Sequence, residues 1–402
     1  MERNLSIEQQ YKKIKFVYFF IGIYGLYFLF LDNFDFINGG LSRGQVVGRD
    51  FLQFWTAASL AVNDRYNDIY DFFVFTSHAP EQVKESGVTF NFLYPPHALA
   101  LILPIGKLNY IPALALWTVS CLAIYLIVAK FSLRNFDRFW FALILAPATI
   151  QNISFGQSGL FSSALLVGGL ICLKRYPKIA GILFGILTFK PHMGLLIPIA
   201  LIAGSYWKTL LWASISTLSF LGLSIYILDV TIWLSWFENE PWVYAKHWIE
   251  HGVGLGIFMQ PSPFTSFRLL FGSLSVAWAS QFIFSVLAAI CVGLVFKKSK
   301  DEELKYSVLI IATYLASPYV HSYDLAALSV VVIWLLQRGI KFGFERGEKL
   351  ILLLAWFLPF LIILLSYDGL PLSPFFLLYF LIYVCRKALL DNSLKLDGKT
   401  IG

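Results

Sequence analysis

The chain has 402 residues, 58% hydrophobic and 14% charged, with a mean hydropathy of +0.70. A soluble domain carries roughly 25% charged residues, so this composition excludes a soluble enzyme and points to an all-α polytopic membrane protein. The net charge of +7 lies mostly in short loops between apolar runs, the pattern of cytoplasmic membrane loops rather than of a nucleic-acid partner.

Lys12, Lys13 and Lys15 precede an apolar run at 16–31. That run is long for a signal-peptide core and no small-residue cleavage site follows it. It predicts an uncleaved first transmembrane helix with the N-terminus in the cytoplasm. The next region, 33–91, is rich in polar groups and predicts an external loop with two short helices. Within it Arg49 and Asp50 stand at the lip of an apolar stretch that begins at Phe51.

Further apolar segments run near 92–106, 109–130, 138–151, 158–173, 179–205, 209–229, 273–296, 303–316, 323–337, 349–366 and 371–385. A full crossing of roughly 30 Å of hydrocarbon takes about 20 residues, and the set predicts about 10–12 spans in one membrane domain over the whole chain. Several segments are short enough to be tilted, re-entrant or half-helices. Lys190-Pro191-His192 interrupts 179–205, which is either one kinked helix or two short ones. A second polar region, 231–267, holds Trp233, Trp236, Trp242 and Trp248 beside Glu238, Glu240, His247, Glu250 and His251. Such aromatic density suits helices lying at an external membrane interface.

Basic clusters mark the expected cytoplasmic loops: Lys174, Arg175 and Lys178; Lys297, Lys298 and Lys300; Arg338, Lys341, Arg346 and Lys349; Arg386 and Lys387. The C-terminus falls on the same side. One parity stays open. If 92–106 crosses fully and 179–205 is a single helix, the cluster at 174–178 falls outside. If the first is re-entrant and the second a broken pair, it falls inside. Cys121, Cys172, Cys291 and Cys385 have neither metal-ligand nor disulfide spacing and read as small core residues.

A charge at the bilayer centre costs roughly 2.5–3.5 kcal/mol on the lenient scale, so polar groups embedded in apolar segments need a reason. They are Arg49 and Asp50; Tyr94-Pro95-Pro96-His97; Gln151, Asn152, Gly156 and Gln157; Lys190 and His192; Arg268; and the run from Ser317 to Asp324 with His321 and Tyr323. Each has a plainer reading. Asp50 could cap the helix beginning at Phe51, the prolines could open a helix, Gly156-Gln157 could be an ordinary turn, Lys190 could snorkel, and His321 could be a satisfied interfacial histidine. Together they suit a lipid-phosphate substrate: cations for the phosphate, aromatics for a sugar or prenyl tail, and a carboxylate to remove a proton.

Five blocks carry a resemblance: GRDFLQFWTAASLAVNDRYNDIYD, FNFLYPPHALALILPIGKL, SFGQSGLFSSALL, AGILFGILTFKPHMGLLIPIAL and ASPYVHSYDLAAL. In this order, over most of 45–330, they resemble glycosyltransferase family 87, polytopic enzymes of the GT-C fold that use polyprenol-phosphate mannose. Asn63, Asp64 and Arg65 depart from the pattern, where a glycine is frequent, and so does the Ser158-Gly159 pair. The resemblance implies a multi-pass enzyme of a cell (inner) membrane. It implies a polyprenyl-phosphate sugar donor, a lipid or glycan acceptor, transfer on the external face, and neither metal nor other cofactor. The external loop agrees in having no DxD metal motif. It also implies Asp50 as catalytic base. The substrate-binding candidates are Arg49, Tyr94, His97, Gln157, Lys190, His192, Arg268, His321 and Tyr323, with Lys190, Arg268 and His321 as cations for the leaving phosphate and Arg49 keeping the base ionised. Two other readings compete: a transporter or flippase of lipid-linked sugars, against which stands the absence of an evident internal repeat, and a structural subunit with no pocket.

Overall fold

A computed structural model of the chain describes residues 47–80 and 90–396, with the single positions 9, 19, 22 and 23. The rest of the expected first helix, the remainder of the loop expected outside at 33–91 and the extreme C-terminus lie outside the described residues. Among those described there is no strand. Six helices among the described residues are long and apolar enough to cross a membrane: Tyr110–Ser132, Trp207–Leu228, Leu274–Lys298, Ser322–Phe342, Glu348–Tyr367 and Ser373–Leu390. The chain is an all-α polytopic membrane protein.

Ion pairs gather the basic clusters at one end of the bundle. Lys174 pairs with Glu302 (2.9 Å), Arg134 with Glu303 (3.3 Å), Arg338 with Asp301 (2.6 Å), Arg386 with Glu345 and Lys387 with Glu348. The more exposed of these pairs, at Lys174, Arg134 and Arg386, add little stability. Their value here is topological, because they put 174–178 at the same end as the other three clusters.

That placement follows from the broken segment. Helix Pro177–Ile186 and the 3-10 turn Leu187–Phe189 rise to Lys190, and the turn Pro191–Gly194 and helix Ile197–Ala203 follow. A Cβ on Gly181 would stand 2.5 Å from Trp212 Cβ, and one on Gly185 would stand 2.4 Å from Ser216 Cβ. Equal steps of four residues mean that 177–186 runs parallel to Trp207–Leu228, with glycines permitting the close approach. The intervening 191–203 must therefore return to the end it came from. The segment is a re-entrant pair with Lys190 at its apex, so the open parity resolves as a broken pair.

The segment 92–106 does not cross either. Helix His97–Ile102 and the 3-10 turn Leu103–Lys107 stay at the end away from the basic loops. Gly106 lies against the Ala58–Ser59 backbone. Trp55 Nε1 donates to the Leu108 carbonyl (2.9 Å) and the Tyr110 hydroxyl to that of Val47 (2.6 Å). Helices Thr231–Asn239, Pro241–His251 and Pro263–Phe271 cover the same end. Phe72 stacks on Tyr244 at 5.2 Å, and Trp236 meets Trp242 at 4.7 Å. The two polar regions set apart in the sequence thus form one outer layer.

Candidate functional site

Beneath that layer several helices stop short. Gly159–Cys172 has 14 residues and Glu302–Ala316 has 15, and at 1.5 Å per residue each spans roughly 21–23 Å, less than the hydrocarbon thickness. The two limbs of the re-entrant pair are similarly short. Their ends away from the basic loops form a floor inside the membrane. Ser158, Lys190, Ser317 and the turn Ser322–Leu325 all sit on it.

Lys190 is 3% exposed and Asp324 fully buried. Lys190 Nζ donates to Asp324 Oδ1 (2.5 Å) and lies 3.5 Å from Ser158 Oγ. Its ammonium stands over the rings of Tyr94 (6.0 Å) and Tyr323 (5.5 Å). Asp324 Oδ2 accepts the His321 backbone N–H (3.1 Å). One carboxylate therefore fixes both a cation and the loop that carries a histidine. Burying an unpaired ammonium is strongly unfavourable, which accounts for the pair and rules out a snorkelling Lys190. The His321 ring stacks between Tyr323 (5.1 Å, 2°) and Trp248 (5.6 Å, 28°). The Ser322 N–H donates to the Met259 carbonyl (2.8 Å), tying the floor to the outer layer.

Asp50 enters from the outer layer. It precedes helix Phe51–Val62 with helical backbone angles (φ −66, ψ −18) and makes no side-chain cap bond. The carboxylate instead accepts Gln157 Nε2 at Oδ2 (2.8 Å). Burial raises its pKa from the ordinary aspartate value, against the Gln157 bond, Arg49 and Lys190, which favour the charged form. Arg49 beside it has a left-handed backbone (φ 36), costly for a residue with a side chain, and its guanidinium lies 4.7 Å from the centre of the Phe155 ring.

The turn that carries Gln157 depends on two glycines. Gly156 has φ +59, and a Cβ there would fall 2.4 Å from Phe51 Cβ. At Gly159 a Cβ would fall 2.4 Å from the Tyr323 carbonyl, where Asn152 Nδ2 donates (2.6 Å). Tyr94 OH completes the set, 3.5 Å from Gln157 Oε1 and 3.3 Å from Ser158 Oγ.

The structure thus brings together Asp50, Arg49, Tyr94, Gln157, Lys190, His321 and Tyr323. His192 is next to the apex, its ring 6.4 Å from that of Tyr319 and its Nε2 buried without a partner among the described residues. Two candidates stand apart. His97 stacks on Trp233 (5.9 Å) and meets Thr188 Oγ1 (3.4 Å). Arg268 donates to the Gly252 carbonyl (2.6 Å) in the outer layer. Asn152 and Asp324 stand out in the sequence as polar groups in apolar segments, and Trp248 as one of an aromatic cluster, but the sequence assigns none of them, nor Ser158, a binding role; the structure sets all four beside the candidates.

The model of glycosyltransferase family 87 matches residues 92–318, more than half of the chain. No curated protein and no solved structure matches. The matched stretch contains Tyr94, Gln157 and Lys190. Asp50 precedes it and is joined to it through Gln157.

Proposed function

The chain belongs to glycosyltransferase family 87, and on that premise we propose that it moves a hexose, mannose in our reading, from a polyprenyl-phosphate sugar to a lipid-linked or glycan acceptor. Transfer takes place at the outer layer, on the external face of a cell membrane, with the basic loops in the cytoplasm. The observation that carries this reading is a half-buried carboxylate, Asp50, joined through Gln157, Tyr94 and Ser158 to a buried ammonium, Lys190.

The chemistry is one inverting displacement. The acceptor oxygen attacks the anomeric carbon as Asp50 takes its proton, through an oxocarbenium-like transition state. The bond from the anomeric carbon to the phosphate oxygen breaks, and its electron pair leaves on polyprenyl phosphate. That group needs no acid, since it departs as a stable anion. It needs fixed positive charge where negative charge grows, which Lys190 supplies from the floor and Arg49 from the rim. Tyr94 and Tyr323 supply aromatic surface beside the sugar, and the His321 ring, stacked between Tyr323 and Trp248, holds Tyr323 in place.

Two results test this. Protein reconstituted in liposomes is expected to transfer mannose from undecaprenyl-phosphate mannose in the presence of EDTA. Activity with GDP-mannose alone, or abolished by the chelator, overturns the donor assignment. For sidedness, single cysteines replacing Glu250 and Lys298 are expected to react with an impermeant maleimide from outside and from inside respectively. The opposite pattern inverts the topology.

A further inference from the structure

We propose that Gln157 is a positioning residue for the base: its amide, held from behind, presents one N–H to Asp50 Oδ2 and leaves Oδ1 for the acceptor hydroxyl. This rests on the reading of Asp50 as base.

The amide has a forced orientation. Oε1 accepts the Ser158 backbone N–H (3.3 Å) and faces the Tyr94 hydroxyl (3.5 Å), while Nε2 donates to Asp50 (2.8 Å). Turning the amide over would set an oxygen against a carboxylate and an N–H against an N–H. Its neighbours therefore admit one orientation. The backbone beneath is held as well: the Gln157 N–H donates to the Asn152 carbonyl (3.1 Å), and Trp117 Nε1 donates to that of Gly156 (3.1 Å). Oδ1 of Asp50 makes no hydrogen bond among the described residues. A general base needs one oxygen free and correctly aimed. Gln157 occupies the other.

The same bond governs when the base is charged. The groups facing Asp50 are Arg49 on its own turn, Gln157 on the 156–158 turn, Lys190 at the apex, Tyr94 ahead of helix His97–Ile102, Tyr110 at the head of its helix, and Tyr323 on the floor. Among them only Gln157 donates a hydrogen bond to the carboxylate. Donation to the charged form favours it, so removing the donor makes Asp50 harder to ionise in a site where burial already resists ionisation.

The test follows the Asp50 carboxyl directly. Its protonated C=O stretch is titrated by infrared spectroscopy in the full-length protein and assigned by its loss in Asp50→Asn. Gln157→Met keeps the length and removes the donor. Gln157→Glu keeps the length and sets a second carboxyl against Asp50, which serves if the apolar variant does not fold. In both, Asp50 is expected to titrate at higher pH than in wild type. The acid limb of the transfer rate moves with it, and each displacement of about one pH unit lowers the rate about tenfold below the limb. The deficit shrinks as pH rises. An unmoved infrared titration in folded protein, or a rate deficit equal at every pH, overturns the proposal. If wild-type protein transfers no sugar from undecaprenyl-phosphate mannose, the proposed activity fails, and the infrared titration still decides whether Gln157 controls Asp50.

Discussion

Asp50→Asn is expected to lower turnover roughly 10²–10⁴-fold, the usual worth of general acid–base catalysis, with donor binding little changed. Asparagine and aspartate rank alike as helix caps, so a cap alone would tolerate the exchange. The geometry already weighs against a cap: the backbone at Asp50 is helical and its side chain bonds no N–H of the helix it precedes. The amide oxygen of Asn could still accept from Gln157, so the fold should survive. What is lost is the capacity to take a proton at neutral pH. The measurement is single-turnover transfer beside thermal stability and donor binding. Near-normal turnover by a folded variant removes Asp50 from the mechanism and favours the transporter reading.

A milder consequence concerns pH. Burial raises the Asp50 pKa, and the base acts only when ionised, so the rate increases as pH rises through that value. The acid limb of the wild-type profile is expected above the ordinary aspartate value of about 3.9. A limb at or below that value in wild type would assign the titration to another group.

The sequence made the class of the fold and the position of the polar residues legible, because both depend on local composition. Apolar runs near the thickness of a bilayer can be read one at a time, and so can the interruption at Lys190. The return of 191–203 to its starting end could not be read. It depends on Gly181 and Gly185 packing against Trp212 and Ser216, and hydropathy is the same for a kinked span and a re-entrant pair. The pairings of the site were hidden for a related reason. Asp50 lies 107 residues from Gln157, and Lys190 lies 134 from Asp324. Lys190 could be picked out as a charge in the wrong place, but its partner could not be identified without the fold. Arg268 shows the converse: a membrane-embedded cation by sequence, it is spent on the Gly252 carbonyl in the outer layer.

Lys190 carries the other large effect, and there stability and chemistry can be separated. Replacing it by methionine leaves Asp324, fully buried, without its ion pair. Breaking one side of a buried pair costs about 3–5 kcal/mol, so Lys190→Met is expected to be markedly less stable as well as slow. Asp324→Asn added to it removes the uncompensated charge, and the amide can still accept the His321 N–H. Replacing both members of a buried pair is often neutral. The double variant is therefore expected to regain most of the stability and none of the transfer, since the cation proposed to receive the leaving phosphate is still missing. Arg268→Ala provides the contrast, with a smaller effect on donor use because its guanidinium is committed to the outer layer. Thermal unfolding and the rate with undecaprenyl-phosphate mannose, measured on the same preparations, separate the alternatives. Recovery of both in the double variant would make Lys190 a structural residue only. Recovery of neither would mean that the pair is not the unit holding the floor together. Stability without transfer is the outcome that assigns the ammonium to the phosphate and leaves Asp324 the task of keeping it charged and in place.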